Sequence, residues 1–250
     1  MSAVGRLLQD DAPKLAPAPR PDIDRLSAAF RKDRRVQIPD FLSDETARRL
    51  QHCLAREIAW QTQSTDGGRR FELFPNQLEA MTDNHRKMLL DIVHRTAEQG
   101  FQYFYDGYPI FEAAQEGTLA HPLLRAVHDL VNGEDFLGLM RRLIGRDDIA
   151  FADCQATCYR RGHFLTRHDD AVAGKNRIAA YVLNLTPYWR ADWGGILEFF
   201  EDNRLVGGYV PGFNILNVFA VPTDHAVSYV TPFAGAERHA ITGWLRAGAP

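Results

Sequence analysis

Three side chains in the C-terminal half of this chain could share one divalent metal ion: His168, Asp170 and His225. The stretch Tyr159 to Asp170 reads Y-R-R-G-H-F-L-T-R-H-D-D and ends in His168-Asp169-Asp170. In an extended chain residues i and i+2 point to one face, with backbones about 6–7 Å apart. His168 and Asp170 can therefore converge while Asp169 points away. A metal needs a further donor, and His225, in V-P-T-D-H-A-V-S-Y-V, is the candidate. Two imidazoles and one carboxylate on one side of a metal leave its other positions open, the donor set of non-haem iron(II) that must also take exogenous ligands. An H-x-D pair alone arises by chance in many chains, and its bland reading is a solvated loop. The surrounding elements have to decide.

From Ile149 onward the chain reads as short β-runs separated by Gly, Pro, Asn and Asp. The runs fall roughly at 149–159, 164–168, 177–185, 196–201, 204–210, 213–219, 225–230 and 238–245. This density of short strands predicts a double-sheet jelly roll, that is, a double-stranded β-helix, rather than a parallel sheet. His168 and Asp170 then end the second run and His225 opens the seventh, so opposed strands can bring them together in the mouth of the roll. Arg238 opens the last run and shares its face with Ala240, Thr242 and Trp244. A guanidinium pointing into a roll is costly unless an anion pairs with it, and its fork fits a carboxylate. The bland alternative is an Arg at a strand end in water.

Upstream of the roll the pattern is mostly helical. Ile23, Leu26 and Phe30 form a stripe on a helix from about Asp22 to Lys32, followed by a short strand at Val36-Gln37-Ile38. Ser43, with Glu45 in the first turn, caps a helix that carries Ala47, Leu50, Cys53 and Leu54 on one face. Trp60 and Phe71 to Pro75 suggest strands around Gly67-Gly68. A long helix is predicted from about Leu78 to Phe104, then two more over Pro122 to Leu130 and Phe136 to Ile144. The fold class expected is α+β: N-terminal helices packed against a C-terminal jelly roll. Residues 1–21, with four prolines from Pro13 to Pro21, read as a disordered leader. Residues 22–148 read as a mainly helical support region and 149–250 as the catalytic core, the whole of 22–250 forming one integrated domain.

Bulk properties narrow the function classes. The chain has 250 residues, 45% hydrophobic and 24% charged, with a net charge of −3, ordinary for a globular protein. That charge offers no general attraction to nucleic acid or to anionic membranes. The three cysteines, Cys53, Cys154 and Cys158, are odd in number and not spaced as C-x-x-C. They suggest neither a disulfide framework nor a zinc ribbon, and fit a reduced, cytoplasmic setting. No apolar run approaches the ~20 residues of a membrane span, and the N-terminus shows no apolar signal region.

Taken together, His168-x-Asp170, Trp193-Gly194-Gly195-Ile196-Leu197, His225-Ala226-Val227-Ser228-Tyr229-Val230 and Arg238-His239-Ala240-Ile241-Thr242-Gly243-Trp244 resemble the Fe(II)/2-oxoglutarate-dependent dioxygenases. With Tyr159 ahead of the H-x-D and Val182-Leu183-Asn184 in a strand, the resemblance narrows to the prolyl hydroxylase branch and covers about residues 150–246. It implies iron(II) on His168, Asp170 and His225, with O2 and 2-oxoglutarate as co-reactants and room for ascorbate as reductant. It also implies that Arg238 pairs with the distal carboxylate of 2-oxoglutarate and that Tyr159 hydrogen-bonds to it. A second cosubstrate Tyr falls at Tyr181 or, in register, at Val182. Asp170 argues against the related halogenases, which place a small residue there. Trp244, where nucleic-acid demethylases of the superfamily carry a second Arg, argues against that substrate.

The resemblance thus implies hydroxylation of an unactivated C–H, first of a prolyl residue in a protein or peptide. A free amino acid or other small molecule is the alternative substrate. A 2-oxoglutarate- or oxygen-sensing binding module is the non-enzymatic reading. Ser64 to Arg70 and Ala171 to Lys175 are the expected lids.

Overall fold

The computed structural model describes residues 22–66 and 68–249, and the expected leader lies outside the described residues. Helix α1 (Ile23–Asp33) starts where the Asp22 side chain accepts from the Arg25 N–H and stops where Arg34 turns left-handed at φ 55°. Strand β1 (Arg35–Ile38) follows. Helix α2 (Asp44–Arg56) begins at Ser43, whose hydroxyl accepts from the Thr46 N–H, and buries Ala47, Leu50, Cys53 and Leu54. These four residues lie at helical spacing, so the apolar stripe read in the sequence is the face that packs.

Strands β2 (Gln61–Asp66) and β3 (Arg69–Leu73) pair antiparallel. The expected long helix over Leu78 to Phe104 is corrected here. A short helix α3 (Pro75–Glu79) comes first, then α4 (Asp83–Gln99), newly capped by Thr82, and then strand β4 (Tyr103–Tyr108). Residues 101–108, F-Q-Y-F-Y-D-G-Y, are rich in β-favouring aromatics, a strand signal hidden behind the strong helical stripe before it. Helices α5 (Ile110–Gln115), α6 (Pro122–Asn132) and α7 (Glu134–Ile144) complete the helical layer.

The remaining strands are β5 (Ile149–Ala152), β6 (Gln155–Tyr159), β7 (Phe164–His168), β8 (Arg177–Leu185), β9 (Leu197–Glu201), β10 (Arg204–Tyr209), β11 (Phe213–Ala220), β12 (His225–Val227) and β13 (Arg238–Ala247). All pair antiparallel, in the path β1-β11-β8-β13-β6-β4-β7-β12-β9-β10, with the β2–β3 pair joined to β4 and β5 to β13. The path curls on itself. The Arg35 guanidinium of β1, at one end, lies 4.6 Å from the Phe199 ring centroid of β9, near the other end.

Two apolar layers follow from this curl. One face of β8, β11 and β13 buries Ala179, Tyr181, Leu183, Leu185, Leu216, Val218, Ile241 and Leu245 against α2, α6 and α7. The opposite face closes on itself inside the roll, where Ala180, Val182, Leu197, Phe199, Phe219 and Ala240 meet. Alternation along each strand assigns neighbours such as Tyr181 and Val182 to opposite layers. This is the curled, jelly-roll-like α+β architecture expected from the strand spacing. Among the described residues no helix is long and apolar enough to cross a membrane.

Candidate functional site

His168 ends β7 and His225 opens β12, and the two are direct partners across the antiparallel pair. Their ring centroids are 4.1 Å apart. Asp170 lies just past β7 in a left-handed conformation at φ 64°, a region that Asp tolerates better than branched or bulky residues. That turn aims its carboxylate back between the imidazoles, with Oδ1 3.3 Å from His168 Nε2 and Oδ2 3.4 Å from His225 Nε2. The three donor atoms lie within 4.8 Å of one another.

Backbone carbonyls set the tautomers. His168 Nδ1–H donates to the Thr166 carbonyl at 3.0 Å, and His225 Nδ1–H donates to the Thr223 carbonyl at 2.8 Å. Since a carbonyl only accepts, both Nδ1 atoms carry the proton and both Nε2 lone pairs face Asp170, the arrangement that orients ligating histidines. Burial, with His168 nearby, lowers the His225 pKa to about 4 and keeps its ring neutral. Burial pushes the Asp170 carboxyl upward, yet His168 and His225 outweigh it and hold the group below its ordinary value. Two converging Nε2 atoms and an ionised carboxylate fit iron(II).

Deeper in the roll, Tyr159 and Arg238 are direct partners on β6 and β13. Arg238 is 3% exposed, and its Nε and Nη1 have no hydrogen-bond partner. Its guanidinium carbon lies 5.0 Å from the Tyr159 ring centroid. Burial lowers the Arg238 pKa, with Tyr159 pulling the other way. Two orphaned donors on a buried cation fit a carboxylate arriving from outside the chain. The Trp193-Gly194-Gly195 turn seals this end. A Cβ on Gly194 would stand 2.0 Å from the Tyr229 carbonyl oxygen, and one on Gly195 would crowd Trp189 at 3.1 Å, so both positions require glycine.

Tyr181 is not part of this arrangement. It faces the helices, its hydroxyl donates to the Asp153 carbonyl at 2.8 Å, and its ring packs edge-on against Phe136 at 5.6 Å. The inward position beside it is Val182. Alternation decides the matter, because one step along β8 exchanges the faces.

Some site residues escaped the sequence reading, Tyr105 among them because the helix expected up to Phe104 hid the strand that carries it. Tyr105 stacks on Tyr159 with centroids 5.1 Å apart and planes at 17°. Burial pushes the Tyr105 pKa up to about 12 and the Tyr159 pKa higher still, so both hydroxyls stay protonated donors. Phe101, half exposed, lies 5.3 Å from the His168 ring at the rim. Arg177 Nη1 stands 3.7 Å from Asp170 Oδ1 and donates to the Asp170 carbonyl at 3.2 Å. The expected lid over Ser64 to Arg70 is largely paired sheet: Ser64 and Thr65 are buried in β2, and only the end toward Arg69 and Arg70 is exposed. Ala171 to Lys175 is exposed throughout.

A largely buried His–Asp–His triad in the mouth of an antiparallel roll, with a buried Arg deeper inside, is a donor arrangement that suits non-haem iron(II). Residues 154–246 match the family model of the 2OG-Fe(II) oxygenase superfamily. The chain is 29% identical over 120 residues to the prolyl 3-hydroxylase OGFOD1 of Mus musculus, a match that spans 45% of this chain and 22% of the mouse protein. Its fold resembles a Pseudomonas putida prolyl-4-hydroxylase at 20% identity and a TM-score of 0.57, covering 91% of this chain and 100% of that one. It also resembles a Trichoplax adhaerens prolyl hydroxylase, solved with a hypoxia inducible factor peptide fragment, at 18% identity and a TM-score of 0.58, covering 90% and 89% of the two chains.

Proposed function

We propose that this chain is an Fe(II)- and 2-oxoglutarate-dependent hydroxylase of an unactivated C–H, with a prolyl residue of a protein or peptide as its substrate. The observation that carries the cosubstrate is Arg238: a buried cation with two free N–H donors and Tyr159 as its cross-strand neighbour. His168, Asp170 and His225 are the residues that would hold iron(II). With 2-oxoglutarate and O2, bound iron supplies oxidative decarboxylation to succinate and CO2 and the transfer of one oxygen atom to the substrate.

The chain's own residues bind, orient and exclude water. Arg238 holds the distal carboxylate, and Tyr159, kept protonated, donates to the same end. Leu165, Trp193, Val227 and Val230, clustered around Tyr159, keep that end dry, which strengthens the Arg–carboxylate pair. Asp170 stays ionised and His225 neutral, so no proton must leave His225 before metal binds.

The substrate class is supported by the rim and by the relatives together. The aromatic side chains of Phe101 and Tyr103, 5.8 Å apart, lead from solvent to His168, and apolar rings beside a reactive centre suit a proline ring. The similar proteins are named as prolyl hydroxylases, one of them bound to a peptide.

The test is anaerobic reconstitution with iron(II) and 2-oxoglutarate, followed by a screen of proline-containing peptides and free amino acids. The expected result is a visible metal-to-cosubstrate charge-transfer band, then succinate release coupled to one added oxygen on a prolyl residue. Iron binding without the band would overturn the cosubstrate assignment. Coupled turnover with free amino acids alone would overturn the substrate.

A further inference from the structure

A second group of metal-ligating side chains lies in the helical layer, where α2 ends beside the start of α6. Cys53 is in the last turn of α2, Glu57 is its C-cap and His121 is the N-cap of α6. Cys53 Sγ is 3.6 Å from His121 Nε2, and the same Nε2 is 3.1 Å from Glu57 Oε2. The donor atoms of all three lie within 4.8 Å of one another. His52, next to Cys53 in the chain, places Nδ1 3.1 Å from the other Glu57 oxygen. A cavity of about 380 Å³ opens beside them, lined by Arg49, His52, Glu57, His121, Pro122 and Leu123.

An ordinary His–Glu ion pair accounts for only part of this. One ring nitrogen carries either one proton or one lone pair, so His121 Nε2 cannot serve the carboxylate and the thiol equally. A metal at the centre can be shared by all three. With zinc bond lengths of about 2.3 Å to sulfur and 2.0–2.2 Å to nitrogen and oxygen, tetrahedral donors stand roughly 3.3–3.6 Å apart. The Cys53–His121 separation of 3.6 Å matches that spacing, and the His121–Glu57 separation of 3.1 Å reaches it by a small side-chain rotation. Sulfur with imidazole selects a borderline-soft cation over magnesium or calcium, and the open cavity provides access.

We propose that Cys53, Glu57 and His121 form a three-residue binding site for a zinc-type divalent cation, with its fourth position open to the cavity and His52 orienting Glu57, separate from the His168–Asp170–His225 centre. Binding releases the Cys53 thiol proton to solvent and ties the end of α2 to the start of α6. Its role is that of a clip on the layer beneath the roll, not of a reaction centre.

Cobalt(II) is the probe, added anaerobically to the chelator-treated full chain. The His168–Asp170–His225 centre contains no sulfur, so a thiolate-to-cobalt charge-transfer band reports only on a cysteine site. The expected result is a saturable band that zinc(II) abolishes and that survives in Asp170→Asn and Cys158→Ser. It is lost in His121→Ala, a partly exposed position whose loss leaves the core intact, and in Cys53→Ser. Zinc(II) should also raise the Tm of the wild type and not that of His121→Ala. No thiolate band in the wild type, a band that survives in His121→Ala, or one lost in Cys158→Ser would each overturn the proposal.

Discussion

Arg238 and Tyr159 face each other across β13 and β6, and the guanidinium, 5.0 Å from the ring centroid, has no acidic partner among the described residues. Burying an unpaired cation destabilises a fold, often by several kcal/mol, and a well-packed neutral side chain of similar size can relieve that. Arg238→Met is therefore expected to raise the Tm of the cosubstrate-free protein. The same variant should weaken 2-oxoglutarate binding by about 100-fold or more, the scale for truncating one side of a buried charge pair. Tm and calorimetric binding, measured side by side, check both halves. A variant with lowered Tm and unchanged 2-oxoglutarate affinity would show that Arg238 is structural.

The metal centre rests on a backbone detail. Asp170 sits at φ 64°, where Asn is tolerated and Ala is strained. Asp170→Asn removes the charge without disturbing the turn. Iron(II) affinity should fall at least 10-fold while the Tm of the metal-free protein changes only modestly, since Asn keeps the turn and a polar group facing His168, His225 and Arg177. Equilibrium dialysis with iron(II), or with manganese(II) as a stable surrogate, measures the first and thermal melting the second. Unchanged metal affinity would remove Asp170 from the ligand set.

How much of this was legible in the sequence depended on which pattern was locally strongest. The eight-run strand texture from Ile149 onward appears as β5 to β13, the first run divided where residues 153–154 break it. The meeting of His168, Asp170 and His225 was readable from the H-x-D spacing and an antiparallel partner, although a left-handed turn at Asp170, not an extended strand, aims its carboxylate. Tyr181 against Val182 was not, because choosing a face requires the strand's register, which a single-residue shift inverts. β4 was missed for a different reason. The stripe Met88, Leu89, Ile92, Val93 and Ala97 was extended through Gly100 into Phe104, although only Val93 of those five is fully buried. With β4 went Tyr105, whose ring stacks on Tyr159. The Cys53–Glu57–His121 group was invisible because its members meet only when α2 and α6 pack.

The double glycine of the Trp193-Gly194-Gly195 turn gives a sharp stability test. Gly194 has φ 73°, and an added Cβ would meet the Tyr229 carbonyl oxygen, a backbone atom that cannot swing aside. Gly194→Ala should destabilise the protein by roughly 2–4 kcal/mol, combining left-handed strain with displacement of the chain around Tyr229. Gly207→Ala is the control. Its nearest contact is the end of the Arg35 side chain at 3.4 Å, which is free to move, so a change within about 1 kcal/mol is expected. Urea denaturation of the two variants decides it, and equal losses would contradict the local account.

Asp153 supplies a pH dependence away from the metal centre. Its Oδ1 accepts the Trp244 backbone N–H at 2.7 Å, and its carboxylate stands 3.6 Å from Arg246 Nη1. Burial pushes its pKa up from 3.8 to about 6, against the pull of the Trp244 N–H, Arg177 and Arg246. A folded pKa above the unfolded one means that the folded state binds the proton more tightly. The group's contribution is therefore most favourable below about pH 4 and is lost as pH rises through 6. The gap corresponds to roughly 3 kcal/mol of penalty at neutral pH. Asp153→Asn keeps the acceptor for Trp244 and removes the ionisation, at the expense of the Arg246 attraction. The variant should be more stable than the wild type at pH 8, by up to about 2–3 kcal/mol, with the difference fading between pH 6 and pH 4. Urea midpoints across that range measure it. A difference that stays constant with pH, or a variant weaker than the wild type at pH 8, would mean that the ion pair with Arg246 outweighs the burial of the carboxylate.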